Sequence, residues 1–282
     1  MARLRLGGVS TASVADAPVA RARVVGAHVD QTDPIASARD RGADVAQFFL
    51  GDPQGWKKPV VAYAGGAAGL RTDAATAGIG LYVHAPYVIN VATTNNRIRI
   101  PSRKLLQQHI DGAAEIGATA VIVHGGHVLK DDDPAVGVDN WRKTFERLEL
   151  RCPVLIENTA GGDRAMARRL EAIERLWAVV GEFDVGFCLD TCHAHAGGIE
   201  VATAVDAIMS ITGRIDLVHC NDSRDTFDSG ADRHANIGNG QLDEDELANL
   251  LEAACAPVLV ETPGDGQAGD IAWIRERLGR RP

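Results

Sequence analysis

Nine side chains of metal-ligand type recur in this sequence at intervals that suit one kind of chemistry. Six of them, His84, His124, Glu157, Asp190, His219 and Glu261, stand at or beside the end of a short apolar run. The gaps between them are 40, 33, 33, 29 and 42 residues, each about the length of one strand–helix unit. Three more lie just beyond such ends: His193 in Leu189-Asp190-Thr191-Cys192-His193, and the pair Asp232 and His234 in Asp232-Arg233-His234. In extended chain, positions i and i+2 point the same way, so Asp232 and His234 can grip one ion together. Five imidazoles and four carboxylates form a mixed N/O set that suits zinc, with manganese or iron as alternatives. Nine ligands are too many for one ion. Two or three ions sharing a bridging carboxylate fit the count, and clustered metals are a device of phosphoryl transfer. One His closing an apolar run is usually a satisfied structural residue. A purely structural origin gives no reason for ligand-type residues at the same end of six successive units.

The elements that must position these groups are legible as a repeat. Short apolar, β-branched runs at 22–29, 45–50, 79–84, 118–124, 154–157, 185–189, 215–219 and 258–261 read as strands buried on both faces. Helical patterns lie between most of them. Ser102 is placed to cap a helix carrying Leu106, Ile110 and Ala114, which Gly117 ends. Residues 163–181, with Leu170, Ile173 and Trp177 on one side, and residues 243–254 are two further helices. Eight strands alternating with helices predict a parallel α/β fold, a (β/α)8 TIM barrel forming a single domain over residues 22–282. In such a barrel the strand-end ligands converge on one mouth. A doubly wound sheet is the structural alternative, but no Gly-x-Gly-x-x-Gly follows a first strand and no phosphate loop is present. Residues 1–21 carry two early arginines and many small residues. Their apolar stretch is too weak for a secretion signal, so they read as a loosely held N-terminal extension.

Composition narrows the classes. The chain has 282 residues, 45% hydrophobic and 24% charged, which excludes disorder as a class. No run of about 18 apolar residues exists, so a helical membrane protein is excluded. The formal charge of -9 is unlike a protein that binds nucleic acid mainly through a basic surface. Three divalent ions would bring that charge to about -3, so charge alone does not exclude DNA. The five cysteines are odd in number and lack paired spacing. They read as small buried hydrophobes in a reducing, cytoplasmic setting.

Longer motifs around the ligands resemble those of the endonuclease IV family. They are His84-Ala85-Pro86-Tyr87-Val88-Ile89-Asn90, Glu157-Asn158-Thr159-Ala160-Gly161, Leu189-Asp190-Thr191-Cys192-His193, His219-Cys220-Asn221-Asp222-Ser223, Asp232-Arg233-His234-Ala235-Asn236-Ile237-Gly238 and Glu261-Thr262-Pro263. The resemblance runs from about Val24 to the C-terminus. It implies a zinc-dependent apurinic/apyrimidinic endonuclease of base-excision repair on a (β/α)8 barrel. By resemblance, His84, His124 and Glu157 hold one zinc. Glu157 bridges to a second, which also takes Asp190, His219 and Glu261. His193, Asp232 and His234 hold a third. A hydroxide between the first two, oriented or deprotonated by Glu261, is then expected to attack the phosphorus 5′ to an abasic sugar, leaving a 3′-hydroxyl and a 5′-deoxyribose phosphate. Glu157 and Glu261 are thus the expected catalytic carboxylates. Removal of 3′-blocking groups is a further family activity it implies. The implied partner is bent double-stranded DNA with the abasic nucleotide flipped out, bound by a monomer without membrane association.

The DNA contacts follow the same resemblance. Tyr87 and Val88 match positions that push into the duplex, although packing at the barrel mouth is a simpler reading. Arg233 is placed to meet a phosphate or to form a surface ion pair. In Gly51-Asp52-Pro53-Gln54-Gly55-Trp56 the chain departs from the family, with Gln54 where an inserting arginine is often found; Lys57 and Lys58 follow. A second departure is His124-Gly125-Gly126-His127, one residue shorter than is usual, which leaves His127 as either an outer partner of a ligand or simply loop. His28, His109 and His195 read as structural, and Asn158 and Asn221 as partners orienting ligands. The rival readings are a sugar isomerase or epimerase on the same barrel, which would leave the His193, Asp232 and His234 set without a task, and a non-catalytic binder of damaged DNA, which a missing ligand would favour.

Overall fold

Val, Ile, Leu and Phe dominate the eight apolar runs, and in the computed structural model each run becomes a strand of one closed parallel barrel. The structure describes residues 24–162 and 164–279; the expectation for residues 1–21 and the Asp163 helix start lie outside them. The barrel strands are β1 (Val25–His28), β2 (Val45–Phe49), β3 (Gly80–His84), β4 (Ala120–His124), β5 (Val154–Glu157), β6 (Gly186–Asp190), β7 (Leu217–His219) and β10 (Val258–Val260). They close in the order β1-β10-β7-β6-β5-β4-β3-β2. A separate antiparallel pair, β8 (Asp222–Ser223) with β9 (His234–Ala235), lies in the connection after β7.

The crossovers carry α1 (Pro34–Asp40), α2 (Gly66–Ala77), α3 (Asn96–Ile116), α4 (Pro134–Phe145), α5 (Leu170–Val180), α6 (Thr191–Gly197), α7 (Val201–Thr212), α8 (Glu244–Ala254) and α9 (Gln267–Gly279). Their apolar faces pack on the outer side of the barrel around Phe48, Leu106, Trp141, Ile173 and Phe187, all essentially without exposure. Burying a side chain of that size contributes roughly 1.5–3 kcal/mol. Inside the barrel, below the mouth, Val45, Tyr82, Ile122, Leu155, Leu217 and Leu259 form a second apolar layer with Cys188. That plug lies below the polar mouth at the strand C-termini. Among the described residues no helix is long and apolar enough to cross a membrane.

Two helix boundaries differ from the sequence reading. The helix expected to start at Ser102 begins at Asn96, because Asn95 caps it: its Oδ1 accepts the Arg97 N–H at 3.0 Å. Ser102 lies inside the helix, fully buried, and its hydroxyl accepts the Asn90 N–H at 2.9 Å instead. The helix expected over 163–181 starts only at Leu170. The residues before it are held in irregular backbone by hydrogen bonds across the mouth, Met166 N to Gly126 O at 2.8 Å and Thr159 N to Ala167 O at 3.0 Å.

Candidate metal centre

The parallel register brings the strand-end ligands side by side. His124 pairs with Glu157 across β4 and β5, and Asp190 with His219 across β6 and β7. His84 ends β3 and Glu261 follows β10 directly, so all six reach the same mouth. The other three arrive by local devices. Asp190 caps α6, and its Oδ1 accepts the His193 N–H at 2.7 Å, which turns His193 back over the barrel. The β8–β9 pair returns His234 to a place opposite Ser223. Buried Asp222 fixes that loop by accepting the N–H groups of Gly238, Gly240 and Leu242 at 2.8–3.1 Å.

The nine expected ligands come together in overlapping groups. His84, His124 and Glu157 form one; Glu157, Asp190, His219 and Glu261 another; and Asp190, His193 and His234 a third, each with ligand atoms within 4.8 Å of one another. Asp232 joins the last, its Oδ1 lying 3.1 Å from Nε2 of both His193 and His234. Glu157, without exposure, sits at the centre. Its Oε2 is 3.1 Å from His84 Nε2 and 3.2 Å from His124 Nε2, while its Oε1 is 2.9 Å from His219 Nδ1.

The outer nitrogens show which tautomers the rings hold. His84 Nδ1 donates to Ala85 O at 2.8 Å, His193 Nδ1 to Asn158 O at 3.0 Å, His234 Nδ1 to Glu261 O at 3.3 Å, and His219 Nε2 to Gln47 Oε1 at 2.9 Å. An oxygen of this kind only accepts, so each ring carries its proton there and turns its other nitrogen inward. Imidazole nitrogens then face carboxylate oxygens at about van der Waals distance or closer, which is repulsive unless a metal ion or a second ring proton lies between them. Nε2 of His193 and of His234 are buried and make no hydrogen bond. The donor set therefore fits metal ions.

The electrostatics agree. Burial alone would raise the Glu157 carboxyl, but the charges of His219 and His124 outweigh it and hold the group well below the usual carboxylate range. Burial also lowers His234, yet Asp190 and Asp232 pull it up to about 9. Asp190 is raised by burial against the opposing charge of His193. Four carboxylates confined here demand positive charge, and in its absence the imidazoles supply it. Cys188 lies within the Glu157–His219 group, but burial pushes its thiol up to about 12. Its full burial agrees with the sequence reading of a small buried hydrophobe.

Asn158 and Asn221 orient ligands as expected. Asn158 Nδ2 donates to Asp190 O at 2.9 Å, and Asn221 Nδ2 to Asp190 Oδ2 at 2.6 Å. His28, read as structural, belongs to none of the ligand groups but lies beside one of them. Its Nδ1 is 3.3 Å from Glu261 Oε1, and burial lowers its pKa more than that carboxylate raises it. Gln47 also belongs here, although one amide inside a strand gives no ligand signal in the sequence. His109 and His195 stay away from the site, on α3 and against Phe227.

The expected DNA-facing residues surround the mouth. Tyr87 is 55% exposed, stacks on His124 with ring centroids 5.8 Å apart, and donates its N–H to Pro53 O at 2.9 Å. Val88 is half-buried against the core. Gln54 is exposed on a turn set by its N–H to Asp52 Oδ1 at 2.9 Å. Arg233 is exposed and pairs with Asp225, its Nε donating at 2.9 Å. The short His124–His127 loop depends on its glycines: a Cβ on Gly125 would lie 2.6 Å from Ala167 Cβ, and Gly126 has φ +69°. His127 is exposed, pinned to Asn90, and belongs to none of the ligand groups.

Comparison with known proteins places this arrangement. The family model described as xylose isomerase-like TIM barrel matches residues 35–278. The chain is 56% identical over 259 residues to the probable endonuclease 4 of Mycobacterium tuberculosis, covering 91% of this chain and 99% of that one. The crystal structure of endonuclease IV from Thermus thermophilus superposes with a TM-score of 0.79 at 26% identity, over 91% of this chain and 99% of that one. A D-tagatose 3-epimerase-like protein reaches a TM-score of 0.71 at 17% identity, over 90% and 97%, and shares the fold alone. Within the xylose isomerase-like TIM barrels, this chain belongs to the endonuclease IV family.

Proposed function

We propose that the protein is an apurinic/apyrimidinic endonuclease of DNA base-excision repair, hydrolysing the phosphodiester 5′ to an abasic site in double-stranded DNA. The observation that carries this reading is the set of nine ligand-type side chains at one barrel mouth, divided around the shared carboxylate of Glu157. One zinc would take His84, His124 and Glu157; a second Glu157, Asp190, His219 and Glu261; a third His193, Asp232 and His234. Zinc, when bound, supplies Lewis acidity toward phosphoryl oxygens and lowers the pKa of water.

The chain's own groups have separate tasks. Glu157 divides its two oxygens between the His84–His124 side and the His219 side. Glu261, at the rim, is placed to orient the attacking water and take its proton. Asp232, half exposed beside His193 and His234, would hold with them the ion that neutralises a departing 3′ oxygen. Tyr87, standing out over His124, is placed to occupy the gap left by a missing base. Val88, Gln54 and Arg233 flank the same face. An epimerase needs fewer ligands and leaves the His193–Asp232–His234 group idle.

The test is incision of a duplex oligonucleotide bearing one abasic-site analogue by protein of measured metal content. Cleavage 5′ to the lesion with a 3′-hydroxyl product, lost in Glu261→Gln, is expected. No incision by metal-loaded protein would overturn the reading.

A further inference from the structure

Gln47 occupies the third position of β2, faces the barrel interior and has no exposure. Its neighbours in the strand are Val45, Ala46, Phe48 and Phe49. A buried primary amide whose donors and acceptor went unmet would cost about 1–3 kcal/mol for each group. Here every group is met, and met by the metal centre. Nε2 donates to Glu261 Oε1 and lies 3.0 Å from His28 Nδ1, while Oε1 is 2.9 Å from His219 Nε2.

Chemistry fixes the orientation of this amide. A carboxylate only accepts, so the end facing Glu261 is the NH2 group. The other end is then the carbonyl oxygen, and His219 must carry its proton on Nε2. Both consequences reach the ligand set. His219 is left with its Nδ1 lone pair facing Glu157 Oε1 at 2.9 Å and Glu261 Oε2 at 3.4 Å. Glu261 is held by Oε1, with Oε2 turned to the same space. On the main-chain side, the Glu261 N–H donates to Asn221 Oδ1 at 2.7 Å, which fixes the backbone but not the carboxylate's rotation.

We propose that Gln47 is a positioning residue for the metal centre: one amide sets the tautomer of His219 and the rotation of Glu261, and so prepares two ligands of the same ion. The inference rests on the reading of these residues as metal ligands. It predicts a selective defect. The ion held by Glu157, Asp190, His219 and Glu261 should weaken, while the His193–Asp232–His234 group, which Gln47 does not touch, should not.

The test compares wild type, Gln47→Met and Gln47→Glu. Met keeps the length without the hydrogen bonds. Glu keeps an acceptor for His219 but sets a second negative charge against Glu261. Each protein is stripped with chelator and titrated with Zn2+ against a chromophoric competitor, with circular dichroism recorded to establish folding. Co2+ spectra of the substituted proteins report coordination geometry. The expected result for Gln47→Met is a loss of about 10–100-fold in affinity at one class of site with the remaining sites unchanged. Its Co2+ spectrum should be altered, and incision should recover as Zn2+ is raised. A folded Gln47→Met that binds every ion as wild type does would overturn the proposal. Should that variant not fold, Gln47→Glu decides by the same criteria. Wild-type protein that takes up no ion would instead overturn the metal reading beneath it.

Discussion

His124 and Glu157 are register partners across β4 and β5, and their side chains meet at 3.2 Å between Nε2 and Oε2. The same Oε2 meets His84, whereas Oε1 meets His219. One carboxylate thus joins two halves of the site. Glu157→Gln keeps the shape but replaces one oxygen by an amide nitrogen that cannot ligate. Both adjoining ions should be affected, with metal content falling by more than one ion per chain. Activity should fall by more than the roughly 100-fold that loss of an outer partner costs. Metal analysis of the purified variant checks this; a full complement of ions would contradict it.

Much of this centre is legible in the spacing of the sequence, for a geometric reason. Parallel strands joined by crossovers all end on the same side, so a ligand that closes each run must reach one mouth. His84, His124, Glu157, Asp190, His219 and Glu261 obey that rule. His28 also ends a strand, but a lone His beside no long ligand motif carries no signal. Gln47 is silent in the sequence because its role depends on facing the interior two residues below the strand end, level with groups that arrive from β7 and β10. The helix starts differ for another reason. Ser102 has the chemistry of a cap but gives its hydroxyl to Asn90, and residues 164–169 spend their backbone groups on the neighbouring loop. Sequence spacing does not report which partner a polar group chooses.

Metal removal should cost stability as well as activity. Glu157, Asp190, Asp232 and Glu261 crowd one mouth, and the imidazole lone pairs face them. Chelated protein must balance these charges with protons. Ligand present at about 100 times its dissociation constant stabilises by about 2.7 kcal/mol per site. Thermal unfolding should therefore shift down by several degrees on chelation and return with added Zn2+. An unchanged midpoint would mean that the folded protein binds no ion tightly.

His109 provides a pH dependence separate from the site. It is buried on α3, its Nδ1 donates to Leu105 O at 2.9 Å, and its Nε2 is buried without a hydrogen-bond partner. Burial lowers its pKa below the ordinary 6.5. The unfolded chain then binds more protons at this position than the native one as pH falls through about 6.5, so stability is lost in that direction. Above that pH the contribution is fully present and flat. His109→Leu removes both the titration and the unmet lone pair. Urea unfolding at pH 5.5 and 7.5 should show a smaller difference in the variant than in wild type. An equal difference would assign the acid sensitivity to other groups.

The DNA face can be read by fluorescence. Trp56 is 48% exposed on the loop that Tyr87 holds through its bond to Pro53 O, whereas Trp141 is fully buried and Trp177 is 8% exposed. Trp273 is half-buried with Arg277 over its ring at 5.2 Å. A duplex seated on the mouth should quench the Trp56 component and leave the others unchanged, and Trp56→Phe should abolish the signal. Tyr87 lies on His124 with an interplanar angle of 28°, so Tyr87→Ala opens the space above the metal centre without removing a ligand. Stacking of an aromatic on a base is worth about 1–3 kcal/mol, so this variant should bind abasic duplex about 5–150-fold more weakly, at unchanged metal content. Binding to undamaged duplex should change less, because there the stack has no gap to receive the ring. If Tyr87→Ala binds both duplexes as wild type does, the ring is only a lid on His124, and the lesion must be recognised through Gln54 and its loop.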